Sequence, residues 1–124
     1  MRRRSPLLIA VPRNGTEWAI AIFVCVLAGF SEELAYRGVL VHVLEPRTGH
    51  LGAALLSAVA FAAAHAVQGV RTMVTILVIA LVLQLLVDAT HTLVVAMVVH
   101  ASYDVVAKVL FARFARREGL LEAA

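Results

Sequence analysis

Four apolar runs, at roughly 17–44, 51–68, 72–88 and 92–112, take up most of this chain and leave little polar sequence between them. About 20 residues cross a hydrocarbon core at 1.5 Å per residue, and the second and third runs fall near the short limit. Lipid offers no partner to an open backbone amide, so spans of this kind fold as helices. The 124 residues are 62% hydrophobic and 15% charged, too little polar surface for a water-soluble domain of this size. The sequence predicts an all-α fold: a polytopic membrane helix bundle of about four transmembrane helices.

The runs are separated by breaker-rich stretches, EPRTGH at 45–50, QGVR at 68–71 and DATH at 88–91. Small residues crowd the second run, GAALLSAVAFAAAH, and permit close helix packing. Three regions follow: a lead-in over 1–16, a four-helix core over 17–112 and a basic tail over 113–124. The opening MRRRSPLLIAVPRNG is read as a cytoplasmic or interfacial lead-in. As a signal peptide its apolar core, Leu7 to Val11, is too short, and Pro12 and Arg13 follow at once.

Positive charge sets the expected orientation. With the N-terminus inside, the cytoplasmic side holds Arg2, Arg3, Arg4, Arg13, Arg71, Arg113, Arg116 and Arg117, and the outer side holds only Arg47. Both termini are then cytoplasmic, in the plasma membrane of a prokaryote. The arginine clusters lack the aromatic or motif context of a nucleic-acid site, so no nucleic-acid partner is expected. Cys25 is the single cysteine, which excludes an internal disulfide.

Ionisable residues inside such runs are expensive, at about 2.5–3.5 kcal/mol each near the bilayer centre on insertion scales. Here they are numerous: Glu32, Glu33, Arg37 and His42 in the first run, His65 in the second, and His100, Asp104 and Lys108 in the fourth. Glu33 and Arg37 stand four residues apart with the acid first, the favourable order for a helical ion pair. Glu32 is rotated by about 100° from Glu33 and lacks that partner, leaving it as the free carboxylate; Tyr36 lies one turn along its face. His100 and Asp104 share one face of the fourth helix, and Phe61 and His65 one face of the second. His65 lies nearer the cytoplasmic end than Glu32, so a tilt of the second helix is expected to bring the two level. His42, His50 and His91 are expected in solvated structural roles, Lys108 snorkelling to the cytoplasmic face, and Gln84 and Asp88 hydrogen-bonded into the bundle.

A desolvated carboxyl group beside two imidazoles suits the activation of water, with an imidazole relaying the proton or stabilising an oxyanion. Glu, His, His and Asp also make a zinc ligand set, and spacing alone leaves zinc open. There is no H-E-x-x-H motif.

EELAYRG, FAAAH and HASYD read as E-E-x-x-x-R, F-x-x-x-H and H-x-x-x-N/D. Their order along successive hydrophobic helices resembles the CAAX prenyl protease and bacteriocin-processing (CPBP, or Abi) family of intramembrane proteases, over roughly residues 17 to 112. The resemblance implies an endopeptidase of the glutamate type that needs no metal or other cofactor. Its substrate would be a peptide or membrane protein, met in the lipid bilayer. Glu32 would activate the attacking water with support from His65, and His100 with Asp104 would stabilise the oxyanion. Glu33, Arg37, Phe61 and Tyr36 would support the site. The family often carries Asn where this chain has Asp104; an ionised Asp repels an oxyanion, so it must donate as the acid or orient His100 instead. Fuller family enzymes carry further helices before this core, so a partner subunit or a homo-oligomer is a candidate complement. The other readings are a non-catalytic immunity or scaffold protein of the same family, a metal-dependent hydrolase, and a transporter or proton-path fragment.

Overall fold

The computed structural model describes residues 11–120. Residues 1–10 of the expected lead-in and 121–124 of the expected tail lie outside the described residues. The first helix, α1, is Gly15–Glu33. Asn14 caps it by accepting from the Glu17 amide at 2.9 Å, and Glu17 reaches back to accept from the Arg13 amide at 2.7 Å. The chain then runs through a π-helical segment, Leu34–Leu40, into α2, Val41–Ala64. A short 3-10 turn, Ala66–Gln68, leads to α3, Val70–Thr90. The last helix, α4, is Leu93–Arg117, capped by Thr92, whose hydroxyl accepts from the Val94 amide at 3.2 Å.

Three helical stretches are long and apolar enough to cross a membrane: Gly15–Ala64, Val70–Thr90 and Leu93–Arg117. The first is 50 residues long, about 75 Å if straight against a hydrocarbon core of about 30 Å. It is not straight. Gly49 has φ 71° and ψ 166°, a conformation that glycine adopts without a Cβ penalty, and the helix folds back there. The fold-back is evident from the Ser57 hydroxyl, which donates to the Tyr36 carbonyl at 2.7 Å across 21 residues. The expected first and second spans are therefore the two arms of one kinked stretch. Pro46 lies within the helix, so of the 45–50 breaker only Gly49 leaves helical geometry.

Two expected boundaries move. The second run, read as 51–68, is α-helical only to Ala64, and His65 is the cap residue at its end, before the 3-10 turn. The fourth helix continues to Arg117, five residues past the expected end at 112, with arginines in its last turn where the helix dipole favours cations.

The helices alternate up and down. At one end the Arg116 guanidinium donates to the Pro12 carbonyl at 3.4 Å, and Val11 packs on Ala112 and Ala115 with Trp18 against them. At the other end His50 lies 3.0 Å from Asp88. The interior is built mostly of small residues, among them Ala53, Ala58, Ala80 and Ala96, while Phe23, Leu51, Leu85 and many other large apolar side chains face outward. That inversion suits lipid, where close backbone approach replaces hydrophobic burial as the source of packing. α1 comes close against α4 at Gly29, where an added Cβ would stand 2.9 Å from the Ala101 amide nitrogen and 2.9 Å from the Met97 carbonyl oxygen. This contact sets Glu32 and Glu33 against His100.

Candidate active site

Glu33 anchors the site. Its carboxylate is fully buried, and Oε1 accepts from Arg37 Nη1 at 3.0 Å. Arg37, itself 5% exposed, donates its other terminal nitrogen to the Ala80 carbonyl of α3 at 3.1 Å. Its guanidinium lies 4.7 Å over the Phe61 ring, a cation–π contact that helps to replace its lost hydration. The ion pair thus sits between α1, α2 and α3.

The same Glu33 oxygen lies 2.8 Å from His100 Nδ1. An oxygen already accepting from arginine accepts here too, so Nδ1 carries the hydrogen and Nε2 is turned outward. Nε2 stands 3.7 Å from Glu32 Oε2 and 3.6 Å from Asp104 Oδ2. Both separations exceed a direct hydrogen bond and suit a bridging water. His65 is fixed in a similar way: Nδ1 donates to the Phe61 carbonyl at 2.9 Å, which leaves Nε2 free as an acceptor. Phe61 is the common support, buried, with ring centroids at 4.9 Å from Tyr36, 4.7 Å from His65 and 5.9 Å from His100.

Glu32, Phe61, His65, His100 and Asp104 all line one cavity of about 460 Å³. Glu33, Arg37 and Tyr36 stand behind it. The geometry thus divides the sequence-selected residues into a cavity-facing group and a supporting group. His65 reaches the cavity without the expected helix tilt as its explanation: α2 stops at Ala64 and the chain turns there, so the cap residue itself faces inward. Irregular backbone of this kind is tolerated at membrane depth where it borders a cavity.

Several contributors were not singled out from the sequence. Ser57 ties α2 to the π-helical segment through Tyr36; its signal was only a serine within a small-residue run. Gln68, Thr72 and Tyr103 add polar groups to the cavity wall. Lys108, expected to snorkel, lines that wall too. Gln84 is buried and donates to Asp88 at 2.9 Å, as expected of a residue hydrogen-bonded within the bundle. Among the described residues, no three His, Cys, Asp or Glu side chains converge in metal-ligand geometry.

Apolar helices around a buried, charged and partly open cavity define the class: an integral membrane protein of the helical-bundle type. The model of the Rce1-like type II CAAX prenyl endopeptidases matches residues 14–106, three quarters of the chain, and the chain belongs to that family. The matched stretch holds all eight of the residues discussed above as cavity-facing or supporting. No curated protein and no solved structure matches the chain.

Proposed function

We propose that this chain is an intramembrane endopeptidase in which Glu32 activates water to hydrolyse a peptide bond. The observation that carries the reading is the position of His100 Nε2, 3.7 Å from Glu32 and 3.6 Å from Asp104, with Nδ1 anchored on the buried Glu33. Glu32 takes a proton from the water as its oxygen attacks the scissile carbonyl. In its imidazolium form His100 donates from both nitrogens, Nδ1 to Glu33 and Nε2 to the developing oxyanion. Collapse of the tetrahedral species breaks the C–N bond, and the protonated Glu32 returns its proton to the leaving amine. His65, with Nε2 free, accepts from the attacking water and orients it. Asp104 acts through His100, holding the charged ring, and so replaces the asparagine donor that the family often carries. No step calls for a metal.

The charge distribution supports an orientation with both termini cytoplasmic. Arg13, Arg71, Arg113, Arg116 and Arg117 all belong to the end of the bundle where Pro12 meets Arg116. Arg47 belongs to the other.

Glu32→Gln tests the reading, because the amide keeps the shape of the carboxylate and cannot act as the base. The full chain in lipid nanodiscs is offered fluorogenic peptides in H₂¹⁸O, and products are read by mass spectrometry. The wild type is expected to place one ¹⁸O in the new carboxylate, and Glu32→Gln to lose at least about a thousandfold in rate. Undiminished cleavage in the variant would remove Glu32 as the base, and absence of cleavage by the wild type would identify the chain as a non-catalytic immunity or scaffold relative.

A further inference from the structure

Lys108 is one of the charged groups of the cavity that the hydrolytic scheme leaves unused. It follows His100 by two successive steps of four residues, through Asp104, and so continues the face of α4 that addresses the cavity. It also lines a second hollow of about 280 Å³, bounded by Val11, Glu17 and Ile20 among others. Val11, Val24 and Lys108 border both, so the lysine stands where the two spaces adjoin. The described carboxylates nearest the reaction centre are engaged elsewhere, Glu33 with Arg37 and His100, Glu32 and Asp104 with His100. None lies within ion-pair distance of Lys108 among the described residues. Val24, Ala28 and Phe111 line the first cavity with it and offer an ammonium no counter-charge. Asp104 stands one turn away on the same face and Glu17 lines the second hollow, but neither forms an ion pair with Lys108 among the described residues.

Distance gives this cation a meaning. Eight residues of α-helix separate the Cα positions of His100 and Lys108 by about 12 Å along the axis. An extended peptide advances about 3.3 Å per residue, so the same interval holds three to four substrate residues. A peptide with its scissile carbonyl at His100, extended along α4, therefore brings a group three to four residues away up to the ammonium.

Resting on the peptidase reading above, we propose that Lys108 is a specificity-determining residue that pairs with a carboxylate of the substrate three to four residues from the scissile bond. An acidic side chain and the substrate's own C-terminus present the same chemistry, and the test separates them.

Binding is measured to the full chain in nanodiscs carrying Glu32→Gln, so that turnover does not intrude. Three fluorescent apolar hexapeptides serve as probes: one ending in a free carboxylate, one in an amide, and one in an amide with glutamate as its last residue. At least one carboxylate peptide is expected to bind about tenfold more tightly than the plain amide, a contrast usual for one well-placed charge pair. Preference for the free terminus or for the glutamate identifies the source. Adding Lys108→Met is expected to erase the contrast, and Lys108→Arg to retain it. Equal binding of all three peptides overturns the proposal, as does a contrast that survives Lys108→Met; the lysine then serves the lipid headgroups. In the otherwise wild-type chain, Lys108→Met is expected to raise KM for the preferred peptide about tenfold with kcat unchanged. Failure of the wild type to cleave any of the three rejects the peptidase reading alone, since the binding contrast decides the role of Lys108 independently.

Discussion

Substitution of Gly29 by alanine tests whether the approach of α1 to α4 is what assembles the site. The new Cβ would lie 2.9 Å from each of three atoms: the Ala101 Cβ, the Ala101 amide nitrogen and the Met97 carbonyl oxygen. Non-bonded heavy atoms are comfortable at about 3.5–4.0 Å, so the helices must part by roughly 0.6–1.1 Å. Two of the three obstacles are backbone, and no rotamer change removes them. Overpacking of this kind costs about 1–3 kcal/mol. The same displacement stretches the 2.8 Å bond from His100 to Glu33 towards or past the hydrogen-bond limit and draws His100 away from Glu32. Gly29→Ala should therefore unfold earlier in a denaturant titration and lose peptide cleavage by more than its folded fraction explains. Gly15→Ala is the control, since an added Cβ there meets nothing within 4 Å. It should unfold like the wild type or slightly later. Wild-type stability and wild-type cleavage in Gly29→Ala would refute the claim that this contact sets the site.

Three further outcomes are expected. Arg37→Met leaves Glu33 buried without its cation and should destabilise the fold by about 3–5 kcal/mol, whereas Glu33→Gln combined with Arg37→Met should recover part of that loss; a double-mutant cycle on unfolding free energies measures it, and strict additivity would contradict the coupling. His50, exposed in the connection at Gly49, has its pKa raised, first by its hydrogen bond to Asp88 and then by the Asp88 charge, with Glu45 adding to both. A raised folded-state value means the contribution is fully present below the ordinary imidazole pKa of about 6.5 and is lost as pH rises through the folded-state value. Thermal unfolding of wild type and His50→Gln should therefore differ most below about pH 6.5 and draw together as pH rises through the folded-state value; a gap that widens with pH would refute the assignment. Extended dialysis against a chelator should leave peptide cleavage within about twofold, because Glu32 and the imidazoles supply the acid–base chemistry themselves; loss of activity restored by zinc would instead make these residues ligands.

Much of this arrangement is legible from residue type and spacing. The spans follow from hydropathy, because lipid leaves the backbone only helix as an option. The Glu33–Arg37 pair follows from a four-residue interval, a purely local relation. Relations that depend on tertiary packing were beyond reach. His100 and Glu33 are 67 residues apart, and nothing in either neighbourhood announces their hydrogen bond. Glu33 therefore emerges as more than a partner for arginine: it also fixes the ring of His100. The early end of α2 was hidden for a different reason. Ala66 and Val67 are as apolar as the helix before them, so hydropathy carried the run to residue 68 although the α-helix stops at Ala64. The place of Lys108 on the cavity wall was equally hidden, because lysines near helix ends generally snorkel and spacing alone does not say what they border.

The π-helical segment Leu34–Leu40 has a consequence for how this helix is drawn. Bonds from residue i to i+5 wind an extra residue into each turn, so the segment acts as a phase slip between two regular helices. A helical wheel laid out from Gly15 loses its bearings at Leu34, and positions beyond it face a direction that an unbroken 100° step would misassign. Deleting one residue there would shorten the chain by a single peptide unit and yet turn everything from Val41 onward relative to the two glutamates. The segment is thus a molecular vernier: its one surplus residue per turn sets the angle between the acids of α1 and the arm that carries Phe61 and His65.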